Sequence, residues 1–216
     1  MKLAAHPDTK VRRHPERAAY DREAIDAILD EGLVGHLGFA SGGQPYVVPM
    51  LHARAGDTLY LHGAPASRLL ATLAERARFC FTVTLLDGLV LARSAFRHSL
   101  NYRSVVVLGE ARRVSDEDEK LAALEAIVEH VLPGRPAEVR GPSVAELKVT
   151  EVVALDLRDA SAKARSGPPV DNPGDMSVPA WAGELPLGLA VGAPIPDSAC
   201  SVPEPAELRA YRRGRE

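Results

Sequence analysis

The sequence predicts a mainly β protein with flanking helices, in which antiparallel strands form a closed or half-open barrel. Two observations support this fold class. Six or seven strand-like runs follow one another with turn-forming residues between them, and helical patterns occur at only a few of the connections. A doubly wound parallel sheet would need a helix after nearly every strand, so that fold fits the pattern poorly.

The first elements are a short helix and two consecutive hairpins. Asp21 is suited to cap the helix, and Gly32 is placed to end it. Strand-like runs follow over residues 33–40, 45–55 and 58–63, separated by the turn sequences SGGQ and GD. We therefore expect three strands in succession with tight turns between them.

The middle of the chain continues the β pattern after a helix in ASRLLATLAERA. The run RFCFTVTLL alternates between two faces, which is typical of a strand. Asp87 and Gly88 then give a hairpin signal, so we expect GLVLARSA to form a separate strand paired with that run. Further strands are predicted over residues 104–114 and 149–159, with a second helix between them.

Composition excludes several functional classes. The formal net charge of -3 provides no basic field for nucleic acid, so we expect no nucleic-acid partner. The two cysteines, Cys80 and Cys200, form neither a disulfide framework nor a metal quartet, which favours a reducing compartment. No secretory segment or run long enough to cross a membrane is apparent. We therefore expect a cytoplasmic protein with no membrane partner.

The stretch LYLHGAPASRLL raises the question of phosphate binding. Gly63 and Ala64 permit close approach of the backbone to a ligand, Ser67 can cap a helix and donate a hydrogen bond, and Arg68 supplies a cation. The alternative is an ordinary strand-to-helix connection in which Ser67 only caps the helix and Arg68 is solvated. The stretch alone leaves both interpretations open.

A second cationic element lies at the start of a later strand. Arg103 could offer a second guanidinium to the same phosphate, and Tyr102 could offer a flat surface or a hydroxyl. The alternative is an arginine at a strand edge with a tyrosine packed on the end of the barrel. Hydrolase and dinucleotide motifs are absent from the sequence.

The histidines do not predict a protein-bound metal site. No HExxH motif or close cluster with carboxylates occurs, and four of the seven histidines are scattered through the strand-like region: His36, His52, His62 and His98. Haem remains an open alternative, because a single axial histidine can hold it and no spacing rule would reveal that residue.

The order of the motifs resembles a known family. The sequence contains, in turn, LDEG, GHLGF, PYVVPM, LYLHGAPASR, NYRSVVVLGE, KARSGPPVD and WAGELPL. Over residues 12–190 this order is similar to the pyridoxamine 5'-phosphate oxidase-like FMN-binding split-barrel proteins, in the flavin-nucleotide-binding branch related to the nitroimidazole-resistance proteins. The resemblance implies a six-stranded antiparallel split β-barrel that forms a homodimer, with FMN bound between the subunits.

The resemblance also implies the residues that bind the flavin. The strand beside the isoalloxazine ring corresponds to Val48, Pro49, Met50 and Leu51. The turn that takes the phosphate corresponds to His62, Gly63, Ala64, Ser67 and Arg68. A segment that completes the site from the other subunit corresponds to Tyr102, Arg103 and Ser104. Trp181 is expected to cover the ring or to line the substrate side.

The family resemblance implies a division into domains and a function. We predict a split barrel over residues 12–165, and a Pro/Gly-rich extension over residues 166–216 that packs on the barrel or dimer and ends in a charged tail. The expected function is an FMN-dependent oxidoreductase for a small-molecule substrate. The alternatives are a non-catalytic flavin-binding or redox-sensing module and a haem-binding protein, and a deazaflavin is an alternative cofactor.

One departure from the family pattern narrows the range of expected substrates. Pyridoxamine phosphate oxidases end in an Arg/His-rich segment that recognises the phosphate of the substrate. The corresponding region of this chain reads WAGELPLGLAVGAPIPDSACS. We therefore expect no oxidation of pyridoxamine phosphate.

Overall fold

The protein is described by a computed structural model that covers residues 8–74 and 77–214. The strands are β1 (Ala18–Ala19), β2 (Val34–Ser41), β3 (Gln44–Leu51), β4 (Ala53–Ala55), β5 (Thr58–Gly63), β6 (Arg78–Leu91), β7 (Ser99–Arg113), β8 (Glu151–Asp156), β9 (Ala160–Arg165) and β10 (Gly183–Pro186). The helices are α1 (Arg22–Glu31), α2 (Arg68–Ala74), α3 (Glu117–Val131), α4 (Val144–Lys148) and α5 (Ala206–Ala210). None of the helices in these residues is long and apolar enough to cross a membrane.

The sheet confirms the predicted fold class. Its main path runs β3-β2-β6-β7-β8-β5-β4, and β9 pairs with both β7 and β1. The pairs β2–β3, β2–β6, β5–β8 and β7–β9 are antiparallel. Six of the seven strands on the main path have at least six residues, which is compatible with a six-stranded split barrel.

The core lies on the inner face of the sheet because alternate residues of each strand point inward. These positions are fully or almost fully buried: Leu37, Leu59, Leu61, Phe81, Val83, Val105 and Val107. Helices α1 and α2 close the core with the buried side chains of Ile25, Leu29, Leu70 and Leu73. Burial of these apolar side chains is the main stabilising contribution, at about 25 cal/mol per Å² of area removed from water.

Helix α1 has the predicted ends. The Asp21 carboxylate accepts a hydrogen bond of 2.9 Å from the Ala24 N–H, and the Gly32 N–H donates to the carbonyl of Ile28 at 3.0 Å. These bonds satisfy backbone groups that a helix leaves unpaired at its ends.

The prediction of a hairpin at Asp87 and Gly88 is wrong. Strand β6 continues through both residues, and residues 88–91 pair with β10. A Cβ atom on Gly88 would lie 3.0 Å from the carbonyl oxygen of Leu185, so glycine allows β10 to approach closely. Gly88, which indicated a turn in the sequence, therefore allows two strands to pack closely.

The run predicted as one strand over residues 45–55 is divided at His52, between β3 and β4. The His52 side chain is fully buried, and its Nε2 lies 3.0 Å from the carbonyl oxygen of Leu29 in α1. Its ring packs edge-on against Phe81, with the ring centroids 5.2 Å apart. This histidine therefore belongs to the core beneath α1.

The chain forms two compact units. The first contains the residues up to Leu85 together with Tyr102–Arg165, and it holds the core described above. The second contains Leu86–Asn101 and the chain from Ser166 onward. Within the second unit, Asp171 accepts hydrogen bonds from the backbone and guanidinium N–H groups of Arg93, each at 2.9 Å. The segment after Ser166 is thus held by a specific polar contact as well as by β10.

The close approach of Gly35 to Phe81 yields a stability prediction. A Cβ atom on Gly35 would lie 1.9 Å from Cζ of the Phe81 ring, so Gly35→Ala forces a fully buried ring to move. We expect a loss of about 1 to 3 kcal/mol in the free energy of unfolding, measured by urea denaturation.

Gly38→Ala is the matched control, since it lies on the same strand and its Cβ would meet no atom closer than 3.4 Å. We expect a change within about 0.5 kcal/mol for this variant. Equal effects of the two substitutions would contradict the steric explanation.

Candidate functional site

A cleft of about 550 Å³ in the first unit lies between β3 and the turn that follows β5. We call it the first cleft. Nine of the thirteen predicted site residues line it: Val48, Pro49, Met50, Leu51, His62, Gly63, Ala64, Ser67 and Arg68. Fold topology thus brings together two sequence segments that were predicted to act on one ligand. The remaining walls are Phe39, Tyr46, Leu69 and Leu70.

Strand β3 offers an unpaired edge to this cleft. It pairs with β2 along one side, and no described strand pairs with its other side. Proline has no N–H to donate, so Pro49 must sit at a position that does not hydrogen-bond to β2. Because pairing positions alternate along an antiparallel strand, the peptide groups of Val47 and Leu51 also face the free edge. Their N–H groups are available to a ligand.

The turn between β5 and α2 is held by its own hydrogen bonds. The Ser67 N–H donates to the carbonyl of Ala64 at 2.9 Å, and the Leu70 N–H donates to Oγ of Ser67 at 3.2 Å. A Cβ atom on Gly63 would lie only 3.2 Å from Cδ1 of Leu70, so glycine permits the tight packing of the turn. The Ser67 hydroxyl accepts this bond and retains its proton for donation to an anion.

Arg68 is the one arginine among the residues that line the first cleft. Its guanidinium carbon is 4.9 Å from the centroid of the Tyr46 ring, and Tyr46 stacks on Phe39 at 5.4 Å. Across residues 8–74 and 77–214, no carboxylate forms an ion pair with Arg68. An exposed cation–π contact contributes about 0.5 to 1 kcal/mol and leaves the charge uncompensated. The site therefore presents a positioned cation that has no anionic partner in the part of the chain that the structure describes.

The sequence interpretation missed Tyr46 and Phe39. Tyr46 could have been found from the period of two in β3, because it shares a face with Val48 and Met50. Phe39 lies opposite Tyr46 in the register of the β2–β3 pair, and that register is set by the two-residue turn at Gly42 and Gly43.

His62 lies between the first cleft and a second one. It lines both, and its Nδ1 atom is buried without a hydrogen-bond partner among the described residues. Burial lowers the pKa of the imidazole, so the ring is neutral at neutral pH. A neutral imidazole can donate or accept a hydrogen bond, or ligate a metal, at that nitrogen.

The second cleft has a volume of about 790 Å³ and lies between α3 and the chain segment 136–150. Its lining is mostly apolar, with charged residues added from both sides: His62, Leu121, Leu124, Glu125, Ile127, Val128, Pro136, Val139, Arg140, Gly141, Pro142, Glu146 and Thr150. The sequence analysis did not anticipate this cleft, because only the packing of α3 against the following loop creates it.

The other predicted site residues do not line either cleft of this chain. Arg103 on β7 is buried and donates to both carboxylate oxygens of Glu31, with one bond of 2.7 Å. Ser104 donates to the carbonyl of Lys163 at 3.2 Å, and Tyr102 pairs with Arg165 in the β7–β9 register. Within one chain, the Arg103 charge is thus compensated by Glu31.

Trp181 belongs to the second unit, where its side chain is 68% exposed. Its ring lies 2.8 Å from the place where Gly183 would carry a Cβ atom, so the glycine accommodates the indole. The assignment of a flavin contact to Trp181 stays a prediction.

Comparisons with known proteins agree with this architecture. The family profile described as pyridoxamine 5'-phosphate oxidase matches residues 21–164. The flavocytochrome Anf3 from Azotobacter vinelandii is 39% identical, with a TM-score of 0.91 over 98% of this chain and 100% of that one. The FAD and haem binding protein from Mycobacterium smegmatis is 35% identical, with a TM-score of 0.85 over 91% and 98%.

A more distant structure is a candidate 5-nitroimidazole antibiotic resistance protein from Bacteroides thetaiotaomicron. It is 25% identical, with a TM-score of 0.58 over 68% of this chain and 85% of that one. None of the curated proteins matches the chain significantly. The profile match over two thirds of the sequence, together with relatives that align with more than nine tenths of it, shows that the chain belongs to the pyridoxamine 5'-phosphate oxidase family.

Proposed function

We propose that the protein binds a flavin nucleotide in the first cleft and uses it as an oxidoreductase for a small molecule. The observation that carries the proposal is the arrangement at Arg68. The lining of an apolar cleft beside a free strand edge includes a guanidinium that has no anionic partner in the described chain and a serine hydroxyl able to donate.

The residues present fit the three chemical parts of a flavin nucleotide. The flat ring requires apolar walls, which Val48, Met50 and Leu69 supply. The polar edge of the ring requires hydrogen-bonding groups, and the free edge of β3 carries them. The phosphate requires charge-assisted donors, for which Arg68 and Ser67 are placed.

The separate roles of the flavin and of the protein follow from this fit. The flavin, when bound, supplies hydride and electron transfer, and the chain binds it, orients it and limits its contact with water. The lining of the first cleft contains no cysteine, carboxylate or paired nucleophile and base. We propose that a small-molecule substrate lies on the open face of the flavin ring and that NAD(P)H is the electron donor.

Removal of the Arg68 charge tests the proposed flavin site. The purified protein should be yellow, and Arg68→Met should weaken flavin binding to the apoprotein by about 1.5 to 3 kcal/mol, the scale of a lost hydrogen bond to a charged group. This corresponds to an increase of about 10- to 150-fold in Kd, measured by quenching of flavin fluorescence.

The matched control is Arg158→Met, which removes an exposed arginine paired with Asp156 at 2.8 Å and outside the first cleft. We expect its flavin affinity to equal that of the wild type. A colourless wild-type protein that gains no flavin on titration would exclude the proposal. Flavin binding without NAD(P)H turnover would instead identify a non-catalytic module, and the visible spectrum separates a flavin from a deazaflavin.

We also propose that the protein is a homodimer whose subunits meet near β3. Three apolar side chains on one surface support this: Val34 on β2 is 47% exposed, and Val47 and Leu51 on β3 are 69% and 40% exposed. Val34 and Leu51 face each other in the strand register, so the patch is continuous there.

Val47→Glu should shift the sedimentation coefficient from that of a dimer to that of a monomer, because it places a charge inside an apolar interface. Val170→Glu is the control, since Val170 is also an exposed valine, at 71%, and belongs to the second unit. A wild-type protein that sediments as a monomer would exclude the homodimer.

Haem is a second candidate ligand. Its support is the unpartnered Nδ1 of the neutral His62 imidazole, together with two relatives that are named for a flavocytochrome and for FAD and haem binding. Haemin titration should give a Soret band that is lost in His62→Ala and kept in His98→Ala, where the exposed ring contacts the Ser94 carbonyl. An unchanged spectrum in His62→Ala would exclude His62 as the ligand.

A further inference from the structure

We infer that the second unit carries a binding site for a small organic anion with at least two negative charges. The site is a cleft of about 710 Å³, lined by the chain segment 189–194 and by residues drawn from 204–214, and we call it the arginine cleft. All of these residues belong to the second unit, whereas those that line the first cleft belong to the first unit. The inference therefore adds a ligand site that does not rest on the proposed flavin site.

Cations outnumber anions in the lining of the arginine cleft. Arg209, Arg212 and Arg213 line it, and Glu204 is the one carboxylate among its described walls. Glu207 on α5 is exposed and does not line the cleft. The lining thus carries a net charge of +2, in a chain whose formal net charge is -3. A ligand with two negative charges would balance this local excess.

The guanidinium of Arg212 is held in place by groups that carry no charge. Its Nη1 atom donates to the carbonyl oxygens of Arg209 and Tyr211, at 3.0 and 2.9 Å. Among residues 8–74 and 77–214, no carboxylate forms an ion pair with Arg212. Because the two carbonyls use only Nη1, the N–H groups of Nε and Nη2 are available for a bidentate contact with an anion.

The other two arginines of the cleft can add to this contact. Arg209 donates through Nε to Glu204 at 2.8 Å, and its side chain is 75% exposed. An ion pair this exposed contributes little to stability, so the Arg209 guanidinium can turn toward a ligand at little cost. Arg213 is half-buried and donates to the Tyr211 hydroxyl at 3.4 Å, which limits the motion of its charge.

The segment 189–194 adds neutral hydrogen-bond donors to the cleft. It has no regular secondary structure, and the backbone N–H groups of its five non-proline residues form no hydrogen bond within the part of the chain that the structure describes. Three of its residues are alanine or glycine, and a Cβ atom on Gly192 would meet no atom within 4 Å. Small side chains leave these peptide groups accessible to a ligand.

The size and the apolar part of the lining favour an organic anion over a bare inorganic ion. The volume falls in the range of roughly 300 to 1,000 Å³ that is typical of small-molecule sites. Leu189 and Leu208 supply apolar surface for the carbon skeleton of the ligand. Arginine forms bidentate pairs with phosphate and with carboxylate groups, so either can supply the charge of the ligand.

The test titrates ADP, citrate and adenosine into the purified protein by isothermal titration calorimetry. ADP presents its charge on phosphates, citrate presents it on carboxylates, and adenosine is the uncharged counterpart of ADP. We expect one or both of the anions to bind and adenosine not to bind. The anion with the higher affinity identifies which group supplies the charge.

Arg212→Met should weaken binding of that anion by about tenfold or more, the ratio expected when one charged hydrogen-bonding contact is lost. Its affinity for flavin should equal that of the wild type, because Arg212 does not line the first cleft. Arg158→Met is the matched control, since it removes an exposed arginine that lies outside the arginine cleft. We expect this control to bind the anion as the wild type does.

A second variant acts in the opposite direction and keeps the test decisive if Arg212→Met fails to fold. Glu204→Gln removes the one carboxylate of the described lining and releases Arg209 from its ion pair. Binding of the anion should therefore become several-fold tighter.

Four results would overturn the inference. They are the absence of binding of both anions to the wild type, binding of adenosine as tight as that of ADP, equal anion affinities of Arg212→Met and the wild type, and no gain in affinity in Glu204→Gln. Failure of the wild type to bind a flavin is a different result, because it would remove the proposed function of the first cleft and leave the arginine cleft unaffected.

Discussion

The free edge of β3 is the constraint on which the candidate site depends. A strand edge with unpaired peptide groups invites pairing with another chain, so proteins usually cover or interrupt it. Here prolines at positions 45 and 49 remove two of the N–H groups, and Val47 and Leu51 keep theirs. A flavin is the ligand that we propose for this edge, and the exposed side chains of Val47 and Leu51 on the same strand belong to the proposed subunit interface. Both proposals therefore depend on β3.

In the proposed flavin site, the surroundings of Arg68 favour binding of an anion over stability of the free protein. Most arginines in the first unit have a carboxylate partner, such as Asp30 for Arg54 and Glu31 for Arg103. Arg68 instead lies over Tyr46, where the aromatic face holds the guanidinium in place and leaves its charge uncompensated. Since the contact is weak, an anion gains nearly the full electrostatic attraction when it arrives. A salt bridge at this position would stabilise the free protein and compete with the proposed anionic ligand.

The sequence could predict the parts of the structure that depend on local patterns. Helix α1, the alternating strands and the turn at Gly63 follow from capping residues, a period of two and glycine placement. The ion pair between Arg103 and Glu31 joins residues 72 positions apart, and no local pattern encodes it. The same limit applies to the second cleft, whose walls meet only after α3 has packed. At Asp87 and Gly88 the local pattern predicted a turn, whereas the structure has a continuous strand. Glycine is needed there because β10, which is distant in sequence, packs closely against it.

The placement of α3 has a consequence for how the two clefts can change independently of each other within the family. The barrel strands and the Arg68 turn lie on one side of His62, whereas the walls of the second cleft come from a helix and a loop outside the sheet. Substitutions in that helix and loop can therefore reshape the second cleft while the strand and turn that line the first cleft keep their contacts. What the second cleft accepts would then be a modular trait, which evolves at the periphery without disturbing the first cleft.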